Sequence, residues 1–107
     1  MVTIRLPAEV DMSNAVSVGA ELWLALETGA ATVIADMSGT TFCDSAGLGQ
    51  LVMADRAARE RGAELRVVTG SARVRQVLAV TRLDSVLAVY PSLGAALAGG
   101  TAGEAPA

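Results

Sequence analysis

The residues best placed to do chemistry lie together in one run, Phe42-Cys43-Asp44-Ser45-Ala46-Gly47-Leu48-Gly49. A serine hydroxyl reacts only when a base or a kinase activates it, and a thiol only when its pKa is lowered. The chain has no histidine, and all eight of its basic residues are arginine. Their absence excludes a Ser-His-Asp triad, a Cys-His dyad, an imidazole metal ligand, a P-loop lysine and Schiff-base chemistry. Only carboxylates remain as an acid–base set, with Asp11, Asp36 and Asp44 as its candidates. Cys43 is the only cysteine, so it has no partner for an internal disulfide. It reads as a small apolar residue in a strand-to-helix loop.

The elements that must position this run are legible as periodicity. Val2, Ile4 and Leu6 alternate with Thr3 and Arg5, which predicts a half-buried strand closed by Pro7. Ser13 or Asn14 can cap a helix carrying Ala15, Val18, Leu22 and Leu26, with Gly29 as its stop. Val33-Ile34-Ala35 is a short apolar run ending at Asp36, as expected of a strand covered on both faces. Residues 37–44 read as a loop and 45 to about 61 as a second helix, stopped by Gly62. A strand through Leu65, Val67 and Val68 follows, then a third helix capped by Ser71, a fourth strand over 86–90, and a short helix with Leu93, Ala96 and Leu97. Four strand–helix units with short links predict an α/β fold: a mainly parallel four-stranded sheet with about four packed helices. The domain is expected over 1–98, with a flexible tail at 99–107.

In open α/β sheets functional groups gather beyond the carboxyl ends of the strands. Those ends place Glu9, Asp11, Asp36 and Asp44 near one edge, with Ser45 at or next to a helix N-cap. Gly47 and Gly49 fall in the first turns of that helix, where glycine costs about 1 kcal/mol against alanine. The pair is read as leaving Ser45 unshielded, so that another protein can approach the backbone. A helix N-terminus also accommodates an added phosphate.

Three segments resemble the STAS domains of anti-sigma factor antagonists. Ala8-Glu9-Val10-Asp11 is similar to the Gly-Glu-Leu-Asp that closes the family's N-terminal strand. Val33-Ile34-Ala35-Asp36 with Phe42-Cys43-Asp44-Ser45-Ala46-Gly47-Leu48 resembles the strand, loop and phospho-serine segment, and Ser71 to Leu83 the third helix. The family's usual extra strand before residues 2–6 has no counterpart in this sequence, and its glycine is Ala8. The resemblance implies a non-enzymatic protein without cofactors. Such a protein binds an anti-sigma factor that is itself a serine kinase, frees the sigma factor, and is switched off when the kinase phosphorylates the serine matching Ser45. A metal-dependent serine phosphatase would reset it. Glu9, Asp11, Asp36, Asp44, Ser45, Ala46, Gly47 and Gly49 are the expected partner-binding residues. The same Asp-Ser-Ala-Gly-Leu also resembles STAS adaptor subunits of lipid or solute transport complexes.

Composition narrows the surroundings. The net charge of −3 argues against a nucleic-acid partner. Residues 1–55 hold one arginine against seven acids, a net −6, and residues 56–107 hold seven arginines against four acids, a net +3. No apolar run approaches the length of a membrane span, and no signal peptide opens the sequence, so a cytoplasmic protein is expected. Val16, Ala20 and Trp23 form a second apolar stripe on the first helix, suited to the core edge or to a partner. Arg56, Arg59 and Arg61 suit a solvated helix C-terminus, with Asp55 in reach of Arg59.

Overall fold

In the computed structural model, which describes residues 1–99, the chain forms six strands and four helices. They follow in the order β1 Val2–Arg5, β2 Glu9–Val10, α1 Ala15–Glu27, β3 Thr32–Asp36, β4 Phe42–Cys43, α2 Ser45–Glu60, β5 Glu64–Val68, α3 Ala72–Val80, β6 Ala88–Tyr90 and α4 Leu93–Ala98. The main sheet is four-stranded, ordered β1-β3-β5-β6, and parallel at every pairing. This is the sheet that the alternating strand–helix pattern predicted. Of the tail expected over 99–107, Gly99 is the C-cap of α4 and the remainder lies outside the described residues.

Each new strand joins the same growing side of the sheet. A uniform progression of that kind puts the crossover helices on one face. The principal core accordingly joins Val18, Leu22 and Leu26 of α1, Leu48, Leu51 and Ala58 of α2, and Val74 and Leu78 of α3 to Val33, Ala35, Leu65 and Val67 of the strands. The opposite face carries a smaller core of Ile34, Val68, Ala88, Tyr90 and Ala96, covered by α4. Four of the five residues in each of β3 and β5 are buried because both faces are occupied.

Arg66 is the exception within β5, a charged residue buried in a strand. Its guanidinium donates to the carbonyl of Ala96 at 2.7 Å and to the Glu64 carboxylate at 3.2 Å, and lies 5.8 Å from the Tyr90 ring. A buried charge persists only when paired and hydrogen-bonded. Here the pairing fastens α4 to the sheet.

Two expectations need correction. Residues 37–44 are not wholly loop: Phe42–Cys43 pairs in parallel with Glu9–Val10 as a second, two-stranded sheet. The fourth strand begins at Ala88, not at residue 86, because Leu83–Ser85 forms a 3-10 turn entered by Arg82 in the left-handed region, at φ 59°.

The core assignment is checked by truncation. Leu22→Ala, at a fully buried position, is expected to cost about 2–5 kcal/mol in urea unfolding. Leu24→Ala, two residues on and exposed, is expected to stay within about 0.5 kcal/mol.

Candidate functional site

The small β2–β4 ladder builds the edge on which Ser45 stands. Its pairs are Glu9 with Phe42 and Val10 with Cys43. It is extended on both sides, since Thr41 N donates to Ala8 O at 2.8 Å and Asp44 N to Val10 O at 3.0 Å. The Thr40 hydroxyl, buried, donates to Pro7 O at 2.8 Å. Phe42 and Glu9 therefore face outward while Cys43 and Val10 face the core.

Beyond β2 the chain turns sharply into α1. Ser13 N donates to Asp11 Oδ1 at 2.9 Å, and the Ser13 hydroxyl donates to the same oxygen. The Asp11 carbonyl receives Ala15 N at 2.8 Å. Asn14 occupies the N-cap position without capping, which departs from expectation: its Oδ1 receives Asp11 N at 2.9 Å and its Nδ2 donates to Glu9 O at 2.8 Å. The Ser13 hydroxyl, followed by the Ser13 N–H, holds the Asp11 carboxyl below its ordinary range.

Asp44 caps α2 from an extended backbone (φ −91°, ψ −176°), its Oδ1 receiving Gly47 N at 3.1 Å. Its other oxygen receives Met12 N at 3.2 Å, so one carboxylate ties the Asp11–Asn14 turn to the start of α2. With the cap held by Asp44, Ser45 is the first residue of the helix and is exposed. Among the described residues its hydroxyl makes no hydrogen bond.

The two glycines differ. A Cβ on Gly47 would lie 2.6 Å from Val10 Cγ1 and 2.8 Å from Cys43 Sγ, so this glycine lets α2 sit down on the β2–β4 ladder. A Cβ on Gly49 would meet nothing within 4 Å, which leaves the open backbone expected of both.

The other expected residues divide in the same way. Glu9, Asp11, Asp44, Ser45 and Gly49 are brought together around the N-terminus of α2, with Ala46 half-buried beside them. Asp36 does not share those contacts: it is buried at the end of β3, with its Oδ1 receiving Ser38 N at 2.9 Å. Cys43 is buried, and desolvation, with Asp44 adding to it, pushes its thiol up to about 11. The sequence reading missed Met12, exposed beside Asp44, and Phe42, exposed next to Cys43. A two-residue strand is too short to show alternation, and Met12 lies in a turn. Among the described residues no group of acids and cysteine could hold a metal ion, and no helix is long and apolar enough to cross a membrane.

The family model for the STAS domain matches residues 1–96. The chain belongs to the STAS family. Among solved structures, this STAS domain is similar to an anti-sigma factor antagonist from Mycobacterium paratuberculosis, with 24% identity and a TM-score of 0.81 over 90% of this chain and 82% of that one. It is also similar to a Thermotoga maritima protein described as a candidate anti-sigma factor antagonist, with 21% identity and a TM-score of 0.79 over 89% of this chain and 84% of that one. The anti-sigma factor antagonist SpoIIAA, solved in its unphosphorylated form, aligns at 22% identity with a TM-score of 0.59 over 78% of this chain and 86% of that one. At these identities the likeness is one of fold. No curated protein sequence matches the chain.

The STAS edge makes two expectations. Gly47→Ala is expected to destabilise by about 1–3 kcal/mol through overpacking, whereas Gly49→Ala is expected to be neutral or to stabilise by up to about 1 kcal/mol; thermal unfolding of both separates them. Cys43 is expected to resist iodoacetamide at pH 8 in the native protein and to react readily in urea, as followed by mass spectrometry.

Proposed function

We propose that this STAS domain is a non-enzymatic anti-sigma factor antagonist. It binds a kinase-type anti-sigma factor through the edge around Ser45, and phosphorylation of Ser45 releases it. The observation that carries this reading is the position of Ser45: exposed, first in a helix, and free of the capping duty that Asp44 performs. A serine so placed can be modified without loss of the cap. The solved structures of similar fold support the reading, since they are described as anti-sigma factor antagonists and one of them as an unphosphorylated form.

The electrostatics agree. A phosphate adds about −1.5 to −2 charges to an edge that already carries Asp11 and Asp44. Two like charges in close contact near a surface repel by about 4 kcal/mol before screening. One third of that weakens an interface about tenfold. An enzyme built on Asp11, Asp36 and Asp44 finds less support, because Asp36 is buried at the end of β3 with its carboxylate turned to Ser38 N, while Asp11 is half-buried in the separate turn before α1.

The test uses each kinase-type anti-sigma factor of the source organism. With ATP, the cognate kinase is expected to place phosphate on Ser45, as mapped by mass spectrometry. Ser45→Ala is expected to fold as wild type, since Asp44 keeps the cap, and to hold the kinase persistently. Ser45→Asp is expected to fold and to bind at least tenfold more weakly. Phosphate at another residue, together with wild-type binding by Ser45→Asp, sinks the switch. Binding of both variants in proportion to their stability alone, within a transport complex, points to the adaptor branch of the family instead.

A further inference from the structure

Asn14 stands at the N-cap of α1 and does not cap it. Asparagine is among the best N-cap residues, because its side-chain oxygen can take an amide of the first turn. Here the backbone at 14 (φ −129°, ψ −1°) departs from the usual cap geometry, and the side chain reaches back to β2 instead. Its Oδ1 receives Asp11 N at 2.9 Å and its Nδ2 donates to Glu9 O at 2.8 Å.

The groups it meets are those that β2 leaves open. Backbone groups along a strand alternate between its two edges. Ala8 O and Val10 O take the amides of Thr41 and Asp44, so they lie on the β4 side. Glu9 O and Asp11 N therefore lie on the other edge, where β2 has no neighbouring strand among the described residues. A carboxamide carries an acceptor and donors in one plane. It fills that edge as a third strand would.

The residues held in this way are two acids of the Ser45 edge. Glu9 pairs with Phe42 in the ladder. Asp11 opens the turn whose next amide, Met12 N, goes to Asp44 Oδ2 at 3.2 Å. Ser13 N, at 2.9 Å, and the Ser13 hydroxyl then fix the direction of the Asp11 carboxylate. The ladder itself does not depend on Asn14, since Val10 and Cys43 lie in the principal core and Asp44 N pins Val10 O. What Asn14 alone secures is the outer edge at residues 9 and 11.

Resting on the antagonist reading above, we propose that Asn14 is a positioning residue for the partner contact. Its carboxamide sets the Asp11 carboxylate where the anti-sigma factor meets it, and α1 goes without its cap as a result. Asn14 acts through Asp11 and need not touch the partner.

The test compares Asn14→Ala, Asp11→Asn and the double variant with the wild-type chain, with circular dichroism to verify folding. Each is titrated against the cognate kinase-type anti-sigma factor, and Ser45 phosphorylation is followed with ATP. Each single variant is expected to weaken binding about fivefold or more, and the double variant to fall short of the product of the two. In the kinase assay Asn14→Ala is expected to raise KM for the chain and leave kcat unchanged, because the cap at Asp44 and Ser45 itself are untouched. The Asp11 carboxyl, held below its ordinary range by Ser13, is expected to titrate higher in Asn14→Ala as the turn loosens, read by NMR on the free chain. Binding by Asn14→Ala within about twofold of wild type, or single effects that multiply in the double variant, overturns the proposal. An unmoved Asp11 titration overturns it without any partner, and a fall in kcat assigns Asn14 to the presentation of Ser45 instead. Ser45→Asp is titrated in parallel. If it binds weakly while Asn14→Ala binds as wild type, positioning falls and the switch stands. If it binds as wild type while Asn14→Ala and Asp11→Asn are weakened and coupled, the switch falls and positioning stands.

Discussion

Everything at the Ser45 edge hangs on the two oxygens of one carboxylate. Asp44 Oδ1 closes the first turn of α2, Oδ2 takes the Met12 amide, and the Asp44 backbone N–H extends the β2–β4 ladder to Val10. Each of these groups belongs to a different element, so a single residue fixes the angle between a turn, a two-residue ladder and a helix. Two-residue strands have little stability alone. This ladder persists because its ends are pinned by Asp44 on one side and by Thr41 and Thr40 on the other. Its inner residues, Val10 and Cys43, also lie in the principal core.

Gly47 supplies the complementary constraint. The cap brings the first turn of α2 down onto Val10 and Cys43, and only a residue without a Cβ fits the space left between them. A local propensity cost is thus accepted so that a core contact can form. The same contact buries Cys43, and the burial raises the pKa of its thiol. One packing decision thereby accounts for two features of the segment: the glycine at position 47, and the raised pKa of the neighbouring thiol.

The fold was largely legible because its signals are periodic and redundant. The apolar runs of β3 and β5, the helical spacing of Val18, Leu22 and Leu26, and the cap at Ser71 all point to one topology. The β2–β4 ladder was not legible. Two residues per strand show no period, and the pairing partners are 33 positions apart. The site was legible in type but not in role. Asp44 and Ser45 are equally good caps by residue type, and only the extended backbone at 44 decides between them. The two glycines likewise look alike in sequence and differ only in what faces them. Arg66 was passed over because a charge in an apolar strand is readable only once α4 supplies the carbonyl that it meets.

The arrangement bears on where a switch at Ser45 can act. A helix begins with N–H groups that have no intrahelical partner. In α2 the carboxylate of Asp44 takes that of Gly47, and the first bond back along the helix is from Leu48 N to Asp44 O at 2.9 Å. The amides of Ser45 and Ala46 precede that bond, at the positive end of the helix dipole, where an anion is favoured. A phosphate on the Ser45 hydroxyl thus sits at a terminus that tolerates it, beside a cap that does not depend on the hydroxyl. Nothing inside the domain has to rearrange to accommodate it. On the antagonist reading, the modification is therefore sensed by the surface it presents to a partner, through added charge and bulk at the contact. The fold serves as a rigid mount on which that surface can be rewritten.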